Sequence, residues 1–397
     1  MSEYFRRFPF LVLLFFLIAG ILSGYRLYPG RAAVLCMAGL SVIPLLFCSG
    51  GKRISFFERY LPFFIFLTGM LLPAVPYVDI SSFIPESLGR HMAMLQDFLK
   101  EKNRTVFTDG NISSLANALC LGDRSGIPME RYNAFTESGT VHLLAVSGLH
   151  AGAVFLICST FFKASGIRKS LSGLLSLLLT WGYALLTGFS PSVVRASMVL
   201  TFITAGNLFQ KDYNAVNGVA ACAFFTLLFK PESLFNLSFQ LSYLAYSGIV
   251  ILMPLFCPFQ RKGNRILHYI QTAVSLSVSS QLAILPISLY YFHHISLDSF
   301  LINIIAVPIA TAMLYSDILA LLLPEGIGLR IADLLEIPGQ ALFGSIDIFS
   351  RINISATDVE ISSTACLACY AIIVSTMIFL YRTDRKRAVR GVFTNRK

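Results

Sequence analysis

The sequence predicts an all-α protein, a polytopic transmembrane helical bundle of about 12 crossings with a short outer amphipathic helical segment. Three observations carry this expectation. Apolar residue types make up 55% of the 397 residues and charged types only 13%, with a mean hydropathy of +0.70, which excludes an ordinary soluble globular domain. Runs of about 20 mainly apolar residues, long enough to cross a bilayer as a helix, recur along nearly the whole chain. Basic residues gather in the short loops between those runs and at the C-terminus, giving a net charge of +10.

The expected crossings fall at about 8–25, 32–49, 60–78, 141–162, 170–189, 191–209, 214–229, 234–256, 268–292, 297–323, 328–350 and 364–381. The first follows Arg6 and Arg7 but has a long apolar run and no Ala-x-Ala-like site after it, so it reads as a retained helix rather than a cleaved signal. With Arg6 and Arg7 in the cytoplasm, the loops holding Lys52/Arg53/Arg59, Lys163/Arg168/Lys169, Lys211 and Arg261/Lys262/Arg265 all fall on the same side. Residues 328–350 are interrupted by Asp333, Glu336, Pro338 and Asp347 and suit a surface helix as well as a crossing. Parity favours a crossing, because an even count returns the basic tail at 382–397 to the cytoplasm. The eight cysteines, including Cys366 and Cys369 with their redox-like or zinc-like spacing, lie almost entirely in apolar runs and read as small packing residues.

The chain divides accordingly into N-terminal transmembrane helices at 1–78, an outward-facing segment at 79–140, a membrane domain at 141–381 and a basic cytoplasmic tail at 382–397. In the outer segment Leu88, Met92, Leu95 and Leu99 recur at helical spacing beside Arg90, Gln96, Lys100 and Glu101, the pattern of a helix lying along an interface.

Polar side chains inside crossings are expensive, so each is a functional candidate. Four clusters stand out. His142, Ser147 and His150 enter the fourth crossing, with Ser147 and His150 three apart on one face. Such a pair suits nucleophilic catalysis, a hydrogen-bonding path or simple interhelical contact. In Thr187-Gly188-Phe189-Ser190-Pro191-Ser192-Val193-Val194-Arg195, Gly188 and Pro191 break one helix, and Ser190 with Pro191 starts the next. Arg195 then lies a turn inside, so helix N-terminus and guanidinium together suit an anion such as phosphate. An arginine paired with Asp123 or Glu137, or one snorkelling to the interface, is the structural alternative. Ser238, Ser242 and Tyr246 share a face near Gln240, as a polar stripe or as interhelical contacts. The fourth cluster runs from Ser275, Ser277, Ser279, Ser280 and Gln281 to Pro286 and continues with Asn303, Pro308 and Asp317.

These residues, in this order, resemble the ComEC family of membrane channels that carry single-stranded DNA inward during natural transformation. Ala118-Leu119-Cys120-Leu121-Gly122-Asp123-Arg124-Ser125 resembles the family's LLxGDRS segment, and Val141 through His150 resembles its HLLAVSGLH signature. Leu186 through Ser192 with Arg195-Ala196 resembles LTGxSxSxxRA, Phe239 through Ala245 resembles FQLSxxA, and Gln281–Pro286 and Asn303–Pro308 complete the series. The resemblance covers roughly residues 110–323, the family's competence domain. The outer OB-like domain and the metallo-β-lactamase-like domain common in full-length members are not seen, nor is a His-x-His-x-Asp-His metal motif.

The resemblance implies a bacterial inner-membrane protein with cytoplasmic termini, taking single-stranded DNA from an outer receptor. A cytoplasmic ATPase would pull the strand, since no P-loop is present here. An oligomer is compatible with it, and no cofactor is called for. The candidate contacts along a DNA path are Asp123, Arg124, His142, Ser147, His150, Ser190, Arg195, Ser238, Gln240, Ser242, Gln281 and Asn303. Neutral hydrogen-bonding groups suit a moving polyanion, because conduction needs contacts weak enough to release it. Two other functions fit the same residues: a membrane-embedded hydrolase using Ser147 with His150 or His142, and a secondary transporter for a small anionic solute at the broken fifth and sixth helices.

Overall fold

The computed structural model describes residues 8–27, 53–74, 85–209, 214–256, 265–295, 297–352, 357–358, 361–373 and 375–376. The crossing expected at 32–49, the basic residues Arg6, Arg7, Lys52, Lys211, Arg261 and Lys262, and the tail at 382–397 lie outside them. The described chain is helical apart from two strands of two residues each. These are β1 (His294–Ile295) and β2 (Thr357–Asp358), which pair antiparallel with His294 opposite Asp358.

The helices are α1 (Pro9–Leu27), α2 (Arg53–Leu71), α3 (Glu86–Val106), α4 (Gly110–Ala116), α5 (Met129–Glu137), α6 (Gly148–Ala164), α7 (Lys169–Leu186), α8 (Pro191–Leu208) and α9 (Ala215–Phe229). They continue with α10 (Leu237–Phe256), α11 (Arg265–Phe292), α12 (Leu297–Leu322), α13 (Glu325–Arg330), α14 (Ala332–Ile352) and α15 (Ser363–Ile373). Among the described residues, four stretches are long and apolar enough to cross a membrane: Pro9–Arg26, Lys169–Leu186, Val274–Phe292 and Ile305–Leu322. Shorter apolar helices occupy Leu61–Ala74, Gly148–Ala164, Ala215–Phe229, Leu237–Met253 and Ser363–Ile373. Two compact units form, one from Met1–Phe239 with Ile305–Ser350 and one from Gln240–Ile304 with Arg351–Lys397.

In the first unit, α1 and α2 meet backbone to backbone at Gly20, Gly24 and Gly69, where a Cβ on Gly20 would run into the Phe66 carbonyl. In lipid, where burying apolar surface gives no net drive, such close approach is what holds helices together. The start of α1 is fixed to α9 by Phe10 N–H donating to Asn217 Oδ1 at 2.9 Å, and the Phe10 ring packs with Phe202, Phe224 and Phe225. Along α6–α8 neighbouring helices run antiparallel, with Ser172 Oγ donating to Ser159 O and Gly173 against Thr204.

Residues 85–147, the described part of the segment between α2 and α6 beyond 74, are mainly helical, as the periodicity at 88–99 predicts. Its α3 leaves Leu88, Met94, Leu95 and Phe98 exposed and buries Asn103 and Val106. A single π-helical turn, Asn117–Leu121, follows α4 and ends at Gly122 with φ +77°. That left-handed conformation suits glycine, and a Cβ there would stand 3.0 Å from Val146 Cγ2.

Helix α14 packs lengthwise on this segment. Glu336, 3% exposed, accepts from Thr108 N at 2.5 Å, Thr108 Oγ1 at 2.9 Å and Asp109 N at 3.1 Å. Gly339 lies against Ile112, Phe343 packs edge-on to Phe135, and Asp347 takes both oxygens to Arg131 Nη1 at 2.9 and 2.8 Å. From Glu336 to Asp347 is about 16 Å of helix, with contacts to residues 108–135 at both ends. Two of the acidic side chains that interrupt 328–350, Glu336 and Asp347, are therefore contacts to residues 108–131.

Helix α12 also meets this segment. Loop charges make the fifth and tenth crossings run in opposite directions. Yet Tyr183 and Leu186 near the end of α7, and Leu314, Ile318 and Leu321 near the end of α12, all meet the same π turn at Cys120 and Leu121. The two helices end at one place, so relative to this segment they point the same way.

In the second unit α10 and α11 touch where a Cβ on Gly248 would lie 2.5 Å from both Ala283 Cβ and Ser279 O. Ser279 and Ser280 return their hydroxyls to Ser275 O and Ser277 O, so neither is left unsatisfied in the apolar helix. Pro286 lies within α11, and α15 joins the unit through Tyr370 Oη donating to Ala283 O at 3.1 Å.

Candidate nucleic-acid path

The motif residues of the first unit assemble at one end of its helices. Gly122 turns the chain out of the π turn so that Val146 packs beside it. Arg124 Nε donates to Leu144 O at 2.9 Å, tying the Gly-Asp-Arg-Ser turn to the 3₁₀ turn Val141–Leu144. Val146 then packs with Ala151, Tyr183, Ala184 and Val193, partly covered by Phe189 and Ala196. Gly148 at the start of α6 lies against Ala196 in α8. Tyr183 closes the junction from α7, its hydroxyl donating to Cys120 O at 2.8 Å.

Asp123 is an organiser here. Its carboxylate meets Lys100 Nζ at 2.8 Å and accepts from Ser125 Oγ at 2.6 Å and Ser125 N at 3.0 Å. Lys100 first, then Ser125, hold the Asp123 carboxyl down to about 2, and Asp123 in turn raises Lys100 above its ordinary value. Sequence reasoning offered Asp123 as a partner for Arg195, whereas the contact it makes is with Lys100, a helix-surface residue carrying no motif signal of its own.

Ser147 and His150 need a correction. The sequence reading put His142, Ser147 and His150 in one helix with Ser147 on its face. The helix begins at Gly148, and Ser147 is its N-cap in extended conformation (φ −115°, ψ 172°). Ser147 Oγ accepts from Leu149 N at 3.2 Å and lies 2.7 Å from His150 Nδ1, which also accepts the Ser147 backbone N–H at 3.0 Å. Nδ1 is therefore unprotonated, and the pair forms a reciprocal capping box. A Ser–His contact that looks like nucleophile and base is thus spent on satisfying the first turn of α6. His142 sits apart in the 3₁₀ turn, exposed, with Nδ1 3.2 Å from Gly139 O.

At the α7–α8 break, Gly188 (φ +65°) and Phe189 (φ +51°) turn the chain, and Ser190 precedes Pro191 as N-cap. Ser190 makes no side-chain cap bond. Arg195 extends within the first turns of α8, where Nη2 donates to Ser192 Oγ at 3.3 Å. The arrangement presents a half-buried guanidinium at a helix N-terminus, beside the end of α6 that carries the Ser–His cap.

The remaining candidates lie elsewhere. Ser238 is exposed in the first turn of α10, where its backbone N donates to the Asn236 side-chain oxygen at 2.9 Å. Gln240, Ser242, Gln281 and Asn303 belong to the second unit. Among the described residues, no group of three or more His, Cys, Asp or Glu is placed to hold a metal ion.

Comparison with known proteins gives a consistent set of similarities. A family model described as Competence protein matches residues 119–384. The chain is 33% identical over 199 residues to ComE operon protein 3 of Bacillus subtilis, covering 50% of this chain and 25% of that protein. It is 27% identical over 272 residues to Recombination protein 2 of Haemophilus influenzae, covering 65% and 33%. A third relative, Uncharacterized protein YcaI of Escherichia coli, is 27% identical over 210 residues, 51% of this chain and 28% of that one. The chain thus matches about a quarter to a third of the length of these relatives. No solved structure matches.

Proposed function

This chain belongs to the Competence protein family, and from that premise we propose that it is the membrane-embedded part of a DNA-uptake apparatus that conducts single-stranded DNA inward. One observation carries the reading. The Gly-Asp-Arg-Ser turn, the Ser147–His150 cap and the Arg195 turn lie far apart in sequence, yet they pack into one junction at the end of the membrane helices. A guanidinium at a helix N-terminus offers a phosphodiester one charge-assisted contact. The polar groups around it are neutral or already paired, which lets a strand move on.

In this reading the protein sits in a bacterial cytoplasmic membrane with both termini inside. An outer receptor delivers DNA to the α3–α5 side, and a cytoplasmic ATPase draws the strand through. Helix α14 lies with the outer segment rather than crossing, and the end of α12 stands on that same side. Between the basic loop at 261–265 and that end the number of crossings is then odd, so one of α11 and α12 does not make a full one. About ten crossings result in place of about 12, and a final one returns the basic tail inside.

The test is deletion of the gene, followed by complementation with this chain and measurement of labelled DNA entering the cytoplasm. Restored entry is expected. Failure to admit DNA together with uptake of a small anionic solute would instead support the secondary-transporter reading. A topology reporter at Gly326 should report the outer side, and a cytoplasmic result there would remove the revised count.

A further inference from the structure

Asp317 lies in α12 at 0% exposure, and neither carboxylate oxygen has a hydrogen-bond partner. Asn103 of α3, equally buried, adjoins it, and Asn103 Oδ1 is also without a partner. One N–H of the Asn103 amide is committed elsewhere, donating to Asn117 Oδ1 at 3.0 Å. The Cys120 thiol faces Asp317 from the π turn. From α7 the Tyr183 hydroxyl is taken by Cys120 O, and Lys102, next to Asn103 on α3, gives its ammonium to Leu321 O at 2.8 Å. On α14 the acid nearest in sequence register, Glu336, is held by Thr108 and Asp109.

Three buried acceptor oxygens therefore share a junction, faced by the Cys120 thiol and by the second N–H of the Asn103 amide. A bare carboxylate in such a place is costly enough that it must take up a positive charge or a proton. The junction also contains the π turn Asn117–Leu121, a distortion that proteins retain mostly at functional positions. We infer that Asp317 and Asn103 form a buried site for a small monovalent cation, a proton or Na⁺, at the junction of α12 with the outer segment. Occupancy neutralises the junction and lets α3, the π turn and α12 stay in contact. Vacating it leaves a charge that favours opening to water. The inference rests on these atoms and not on the proposed DNA path.

The test uses the full chain in native membranes and the carboxyl reagent dicyclohexylcarbodiimide, which modifies protonated carboxyl groups in apolar surroundings, with the adduct located by mass spectrometry. Asp317 should be modified. The rate should fall about tenfold on raising the pH in sodium-free buffer if the occupant is a proton, or on adding Na⁺ but not K⁺ or choline at fixed pH if it is Na⁺. No adduct at Asp317, or a rate indifferent to both changes, overturns the proposal. Asn103→Ala, which keeps the carboxylate, should shift the pH or Na⁺ concentration of half-protection about tenfold. An unmoved midpoint removes Asn103 and the site as described.

Discussion

Replacing Glu336 tests how α14 is held. Its carboxylate is 3% exposed and serves three donors, two of them the backbone N–H groups of Thr108 and Asp109, just ahead of α4. Glu336→Leu keeps the side-chain bulk but takes the acceptor away from those two N–H groups, which belong to exposed residues. At about 0.5–1.5 kcal/mol for each lost hydrogen bond the two together are about 1–3 kcal/mol, since Thr108 Oγ1 can turn to another acceptor. Glu336→Gln retains one carbonyl acceptor and loses only charge assistance, so it should cost about 1–2 kcal/mol. The assay is thermal unfolding of the purified chain in detergent, paired with limited proteolysis near residue 108. Cleavage should appear with Glu336→Leu and less with Glu336→Gln. If both variants unfold with the wild type and resist cleavage equally, α14 is not anchored to residues 108–109 through Glu336.

Other expectations follow from single contacts. The Lys100–Asp123 pair is a fifth to a quarter exposed, so the drop from 3.8 to about 2 corresponds after solvent screening to about 1 kcal/mol rather than the full 2 or so. Because the folded Asp123 value is depressed, that stability is present above about pH 4 and disappears as pH falls through about 2. Because the folded Lys100 value is raised, its share persists up to 10.5 and is lost at still higher pH, and an Asp123→Asn variant should show neither dependence in a pH series of unfolding. Ser147→Ala removes a helix cap and should lower stability by about 1 kcal/mol while DNA entry continues, whereas complete loss of function in a folded protein would restore Ser147 as a nucleophile. Gly248→Leu forces a side chain into Ala283 and the Ser279 carbonyl, so crosslinking between α10 and α11 should fall sharply, and an unchanged yield contradicts their contact.

Much of this was legible in the sequence because lipid leaves few options. Hydropathy located the apolar helices, and helical spacing at Leu88, Leu95 and Leu99 revealed α3, because the pattern follows directly from where side chains project. The break at Gly188–Pro191 was also visible, since the turn needs Gly188 and Pro191 opens α8. Ser147 was misplaced because a cap and a helix-face residue share the same three-residue spacing to His150, and only backbone dihedrals separate them. Asp333, Glu336 and Asp347 announced that 328–350 was unusual but not what satisfied its acids, because Thr108 and Arg131 are more than two hundred residues away. Asp317 was noticed as a polar intruder in an apolar run, yet Asn103, its neighbour from α3, carries no sign of that role in local sequence.

The most direct measurement of the DNA-path account is entry of labelled DNA into cells whose only copy of the gene carries Arg195→Glu. The account predicts that DNA still binds the cell surface at the wild-type level while the internalised, nuclease-protected fraction falls by tenfold or more, on the order of one lost charge-assisted phosphate contact replaced by repulsion. Internalisation at the wild-type level, from protein present in the membrane in normal amount, would contradict it.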